Sequence, residues 1–234
     1  MVLFQEILDR MKICAIIPSF NVAKTIGDIV SGVKQMGIDA VVVDDGSSDG
    51  TAEIARKSQA IVLRNNVNKG KGASLRLGFD FAISNGYEAV ITMDGDGQHS
   101  LRDLPKFTLA LEDNKADVII GSRMFNPRSM PFIRWLTNKV MSLVISFISR
   151  QEVSDSQSGF RLIKARCLKA LKLKSNRFEI ESEIILEAAN NGFKVASIPV
   201  SSIYINSESR INPLLDTFRF IKFILPYLLF EKGL

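Results

Sequence analysis

Cysteine is scarce in this 234-residue chain: Cys14 and Cys167 are the only two, and no C-x-x-C spacing occurs. That excludes a disulfide framework and a thiolate metal site, suits a reducing compartment, and makes both residues small buried hydrophobes. Histidine occurs once, at His99. No stretch has the length of a membrane span: the C-terminal apolar run from Phe223 to Phe230 falls far short of the ~20 residues required. The opening MVLFQEILDR mixes charges into a short apolar run, so no signal peptide is expected.

What is present is ordinary globular material, 46% hydrophobic and 24% charged, enough for one domain with an appendage. The net charge of +5 is unevenly spread. Residues 1 to 120 carry 13 Lys/Arg against 16 Asp/Glu, whereas residues 121 to 234 carry 17 against 9. The second half therefore suits an anionic partner such as a nucleic acid, a phosphorylated substrate or an anionic membrane face.

From Lys12 to about Ile120, short β-branched runs alternate with amphipathic segments. KICAIIP, AVVVDD, AIVLRN, AVITMD and DVIIGS read as strands, separated by helices near Thr25–Met36, Thr51–Ser58, Ala73–Asn85 and Leu101–Asn114. Continuous apolar strands are buried on both faces, so the fold class is α/β, a mostly parallel sheet flanked by helices. Ligands of such sheets bind beyond the carboxyl ends of the strands, where every polar cluster of this chain falls.

After Gly121 the alternation stops. IRWLTNKVMSLVISFISR gathers Ile133, Leu136, Val140, Leu143, Val144, Phe147 and Ile148 on one stripe, leaving a polar face of Asn138, Lys139, Ser142, Ser146 and Ser149. A second amphipathic segment fills residues 212–234, with Asn212 in a cap-like position before Pro213. Each segment suits a membrane interface, a partner subunit or the sheet itself.

The acids carry the chemistry. MDGDGQH places Asp94, Asp96 and Gln98 at alternate positions after an apolar strand, where continued extended chain would aim three hard oxygens at one volume, a set suited to Mg2+ or Mn2+. Such an ion keeps positions open for substrate phosphates. DDGSSDGT joins Asp44 and Asp45 to a turn and a helix start, and acids there can accept hydrogen bonds from a base or ribose. NKGKGASLRLG matches no standard phosphate loop, although Lys69 and Lys71 at a helix start suit a diphosphate.

In order and spacing, IIPSFN, VVVDDGSSDGT, NKGKGASLRLG, MDGDGQH, GSR and SDSQSGFRL resemble the family 2 glycosyltransferases of the GT-A fold, and among these the dolichyl-phosphate mannose synthases and related polyprenyl-phosphate sugar transferases. The resemblance runs from about Ile13 to Phe223. It implies a GT-A catalytic domain over residues 1–211, with an acceptor side at about 122–160, followed by the amphipathic segment. It further implies that Asp94 and Asp96, with Gln98, hold the metal on the donor diphosphate, and that Pro18, Asn21, Asp44, Asp45, Lys69 and Gly95 line the nucleotide sugar. Arg123 and Arg134 would hold the lipid phosphate, Ser209 and Arg210 would lie near the donor phosphates, and Asp155 would lie below the acceptor. Two departures are visible: Phe20 and Val22 replace the Tyr and Glu of Pro-x-Tyr-Asn-Glu, and Gly95 stands where Ala is common.

The resemblance implies transfer of a hexose from GDP-mannose or UDP-glucose to a polyprenyl phosphate, with inversion. The enzyme would be peripheral on the cytoplasmic membrane face, with a membrane-anchoring subunit as a further partner and no nucleic acid. A phosphate acceptor is already ionised at neutral pH, so Asp155 would orient rather than deprotonate. His99 would support the metal motif rather than react. The rival readings are transfer to a hydroxyl of a glycolipid or polysaccharide, a sugar nucleotidyltransferase lacking its Gly-rich loop, and a non-catalytic nucleotide-sugar-binding subunit.

Overall fold

Strands β1 (Ile13–Ser19), β2 (Asp39–Asp44), β4 (Ala89–Thr92) and β5 (Val118–Ser122) are buried along nearly their whole length, so each requires cover on both faces. The computed structural model describes residues 2–112, 116–127, 130–201, 203 and 213–229. In it these strands join β3 (Ile61–Arg64), β6 (Arg161–Lys164) and β7 (Val195–Pro199) in one sheet of order β3-β2-β1-β4-β6-β5-β7.

Period-two alternation sends Ile13, Ala15 and Ile17 to one face and Cys14 and Ile16 to the other. The first face packs against α1 (Val2–Arg10), α2 (Ala23–Gln35), α3 (Thr51–Lys57) and α5 (Leu104–Glu112), through residues such as Phe4, Ile26, Ala55 and Phe107. The second packs against α4 (Lys71–Ser84), α6 (Phe132–Ser149), the short α7 (Ala165–Leu168), α8 (Ile180–Asn190) and α9 (Pro213–Leu229). Cys14 and Cys167 are fully buried, and burial pushes each thiol up to about 12, as befits small hydrophobes.

The four-residue β6 was not legible in the sequence and is the topological key. It pairs antiparallel with both β4 and β5, placing Arg161 opposite Thr92 and Ile120. Its amino end therefore lies beside the carboxyl ends of its neighbours, and the segment before it, Ser154–Phe160, arrives at the ligand edge of the sheet.

Helix α6 is turned inside out relative to a soluble amphipathic helix. Phe132, Ile133, Leu136, Val140, Leu143 and Phe147, within about 100° of arc, are 45–70% exposed. Asn138, Ser142 and Ser149 are buried instead. Helix α9 packs Phe220, Phe223, Ile224 and Tyr227 on the second core and turns Ile221 and Leu225 outward.

Candidate active site

The acidic motif is a turn, which corrects the expectation of a continuing strand. β4 stops at Thr92 and the chain folds back over Asp94–Gln98, with Gly97 in the left-handed region at φ 80°. The Gln98 N–H donates to Asp96 Oδ1 at 3.0 Å, and the Thr25 hydroxyl of α2 donates to the Gly95 carbonyl at 2.5 Å. The Asp94 N–H donates to His99 Nδ1 at 3.1 Å, while the ring stacks on Phe160 at 4.8 Å. His99 is thus a buried brace for the turn, and burial pushes its pKa down.

Lys71, the first residue of α4, completes this corner. Its Nζ lies 2.5 Å from Asp94 Oδ1 and 2.7 Å from Glu181 Oε1. Burial disfavours the ammonium, but Asp94 and Glu181 outweigh it and raise its pKa. Burial likewise pushes Asp94 up, yet Lys71, then His99 and Arg123, hold it down to about 2. A Cβ at Gly159 would meet Lys71 Nζ at 2.7 Å, so the Ser154–Phe160 segment lies directly on this pair. A Cβ at Gly95 would stand 2.9 Å from Ser19 Oγ and 3.2 Å from Val22 Cγ2, so Val22 and Ser19 leave little room for a side chain there.

Pro18, one residue before the end of β1, pairs with Val43 of β2. Asn21 adopts a left-handed φ of 50°, its N–H donating to Ser47 Oγ and its Oδ1 accepting from the Ser48 N–H. Asp44 and Asp45, expected to face a base or ribose, are buried and occupied by the protein. Asp44 accepts from the Ser47 N–H and pairs with Arg64 at 3.1 Å. Asp45 accepts from Asn65 Nδ2 at 2.8 Å and from the backbone N–H groups of Lys69 and Gly70 at 3.0 and 2.7 Å. Their visible work is to shape the loops that would carry a nucleotide, with the Lys69 side chain exposed on the rim.

Beyond the carboxyl end of β5, Arg123 and Asp155 form a bidentate pair. Arg123 Nε and Nη2 donate to Oδ2 and Oδ1, both at 2.9 Å, and the Arg123 backbone N–H adds a third bond at 3.1 Å. Asn138 Nδ2 supplies a fourth at 2.7 Å. Asp155 is fully buried, and although burial pushes its pKa up, Arg123 and Asn138 bring it below the usual carboxylate range. Arg134 lies one helical turn before Asn138 on the same side of α6, half-buried. Ser209 and Arg210 lie outside the described residues.

Sequence reasoning gave no specific role to Glu181, Asn138 or Arg161, and it offered Lys71 to a diphosphate where the structure places it between Asp94 and Glu181. Arg161 is almost wholly buried and donates to the carbonyls of Ser156, Ser158 and Glu181, tying the Ser154–Phe160 segment to α8. The only local signals were the second lysine of NKGKG and the Arg ending SGFR.

The model of the glycosyl transferase family 2 matches residues 14–172. The chain belongs to that family. It is a glycosyltransferase, and its sheet and flanking helices are those of the GT-A fold. Over 212 residues it is 29% identical to the UDP-N-acetylglucosamine–dolichyl-phosphate N-acetylglucosaminyltransferase of Methanococcus voltae, covering 81% of this chain and 84% of that one. Over 200 residues it is 29% identical to the polyprenol monophosphomannose synthase of Mycolicibacterium smegmatis, covering 80% and 75%. The glucosyl-3-phosphoglycerate synthase of Mycobacterium tuberculosis, solved with Mn2+, UDP and phosphoglyceric acid, shares the fold at a TM-score of 0.74 and 15% identity, covering 99% of this chain and 82% of that one.

Proposed function

We propose that this glycosyltransferase moves a hexose from a nucleoside-diphosphate sugar, GDP-mannose or UDP-glucose, to a polyprenyl phosphate at a membrane surface, with Mg2+ or Mn2+ as cofactor. The named relatives act on dolichyl phosphate and polyprenol phosphate, which supports the acceptor class.

The observation that carries the reading is the state of Asp155. Its four hydrogen bonds fill both oxygens, and its lowered pKa leaves it a poor proton acceptor. A hydroxyl acceptor needs a base, whereas an ionised phosphate needs positioning by a cation. Asp155 serves the second need by fixing the planar fork of Arg123, and Arg134, one helical turn before Asn138 on α6, is the second cation proposed there. In the step, an acceptor phosphate oxygen forms a bond to the anomeric carbon as the bond from that carbon to the nucleoside diphosphate breaks. The leaving group departs with the electron pair, one displacement inverts the centre, and no proton is transferred.

A divalent cation fits the donor corner. Asp94 and Asp96 are hard oxygen donors, and the ammonium beside them, Lys71, is shared with Glu181, so it offsets one of three carboxylates. Asp94, Asp96 and Gln98 would hold the ion. When bound, it supplies neutralisation of charge on the diphosphate. Lys71 adds a fixed cation, and Gly159 lets the acceptor segment approach.

The occupant proposed for the outward face of α6 is a lipid surface. Its six exposed apolar side chains lie on the helix that bears Arg134, and Lys139, which stacks over Trp135 at 4.9 Å, suits anionic headgroups. No helix among the described residues is long and apolar enough to cross a membrane. The deciding experiment incubates purified protein with radiolabelled GDP-mannose or UDP-glucose, Mn2+ and dolichyl or undecaprenyl phosphate, then counts label in the organic phase. Label dependent on both metal and lipid phosphate supports the proposal. Label on an added glycolipid hydroxyl instead overturns it.

A further inference from the structure

The buried face of α6 reads the acceptor segment rung by rung. Asn138 Nδ2 donates to Asp155 Oδ1 at 2.7 Å, and the Ser156 N–H donates to Ser142 Oγ at 2.9 Å. One turn further, the Val153 N–H donates to Ser146 Oγ at 3.0 Å, while the Ser146 hydroxyl donates to the Ser142 carbonyl at 2.8 Å and lies 3.2 Å from that of Val153. The three side chains are spaced i, i+4 and i+8, and Ser142 also donates to Asn138 Oδ1 at 3.1 Å, so the amide is held from both ends. Of these rungs only the first touches a carboxylate that orients a cation in the site. Asn138 is 1% exposed, and an uncompensated amide would be costly there, so its place is fixed by this network.

We infer that Asn138 is a positioning residue for the acceptor: acting through Asp155, it sets the orientation in which Arg123 meets the phosphate of the lipid. The inference rests on the proposed polyprenyl-phosphate acceptor and assigns a further residue to that site. Arg123 donates two side-chain bonds to Asp155, one to each oxygen, so a rotation of the carboxylate tilts the guanidinium plane. Asn138 holds the oxygen that faces away from the Arg123 backbone and blocks that rotation. The opposite face of the same helix carries the exposed apolar stripe. Helix α6 therefore works as a rigid spacer, fixing how far Arg123 stands from whatever surface the stripe contacts.

The test compares Asn138→Leu, which keeps the branching and heavy-atom count of the side chain but not its polar atoms, with Ser146→Ala, which breaks a rung without touching Asp155. Loss of one bond to a charged group corresponds to about a ten-fold effect. Asn138→Leu is expected to raise KM for the lipid phosphate about ten-fold while KM for the nucleotide sugar stays within about two-fold. Ser146→Ala should lower Tm comparably and leave both KM values unchanged. Equilibrium binding of a water-soluble, short-chain prenyl phosphate, measured calorimetrically, should weaken by the same factor in Asn138→Leu and needs no turnover. Unchanged lipid-phosphate KM in Asn138→Leu, or both KM values moving with Tm in both variants, overturns the role of Asn138. A wild type that binds and glycosylates no prenyl phosphate overturns the proposed function, and the inference with it. Wild-type transfer with an indifferent Asn138→Leu removes the inference alone.

Discussion

Gly159 lies against the carboxylate of Asp94: a Cβ there would stand 2.9 Å from Oδ2 and 3.0 Å from Oδ1. The Ser154–Phe160 segment and the Asp94–Gln98 turn, which are far apart in sequence, thus meet with no room for a side chain. The contact is held from behind, where the Thr92 hydroxyl donates to the Gly159 carbonyl at 2.7 Å. Gly159→Ala must displace Asp94 or Lys71, and overpacking of this kind costs about 1–3 kcal/mol. The variant should remain folded with a lowered Tm, and its Mn2+ affinity should fall several-fold because a metal-ligand candidate has moved. Calorimetric titration checks this, and unaltered Mn2+ binding would detach Asp94 from the metal.

Lys71 sets the pH behaviour of the same corner. The folded pKa of Asp94, about 2, lies below the ordinary carboxylate value of about 4. Its ionised form therefore stabilises the fold fully above about pH 4, and that contribution is lost as pH falls through about 2. In Lys71→Met the cation is gone and burial raises the pKa. At pH 8 the variant should bind Mn2+ at least as well as wild type, since no ammonium competes, and toward pH 5 its affinity should drop below wild type. Free Mn2+ followed by electron paramagnetic resonance across that range gives the two curves. Parallel curves would refute the electrostatic account.

Asp155→Asn separates orientation from base catalysis. Removing one partner of a buried ion pair costs about 3 kcal/mol, so a clear loss of Tm is expected. If Asp155 serves only to hold Arg123, the variant raises KM for the lipid phosphate about ten-fold and leaves the pH dependence of kcat in place. A base would show otherwise: kcat would collapse and its acid limb would vanish. A pH–rate profile of both proteins distinguishes the outcomes.

The parallel half of the sheet was legible because β1, β2, β4 and β5 are covered on both faces and read as unbroken apolar runs. Among the features that were not, three bear on the site. β6 spans only four residues, too short for periodicity to register, and its antiparallel insertion is a long-range pairing with β4 and β5. The Asp94–Gln98 turn depends on the left-handed Gly97, which the alternation of acids concealed. The orientation of α6 was undecidable from its stripe, because a helix of this pattern buries whichever face finds partners. Here Asp155, Ser156 and Val153 supply polar partners for the serine and asparagine side. Asp44 and Asp45 show the same limit: adjacency suggested a ligand, whereas Arg64, Asn65 and the loop backbone claim both carboxylates.

The outward stripe of α6 can be tested without disturbing the fold. Leu136 and Leu143 are 45% and 62% exposed, so glutamate at either should change stability by no more than about 0.5 kcal/mol. A lipid surface gains about 25 cal/mol for each Å2 of apolar area it covers, and an inserted carboxylate forfeits that gain and adds a charge to be dehydrated. Leu136→Glu combined with Leu143→Glu should therefore abolish co-sedimentation with vesicles containing anionic phospholipid while Tm stays near wild type. Turnover of lipid-embedded acceptor should fall, and turnover of a short-chain prenyl phosphate in free solution should be retained, because Arg123 and Asp155 are untouched. Vesicle binding that survives both substitutions would assign the stripe to a protein partner, and a change in oligomeric state by light scattering would identify that partner as a second copy of the chain.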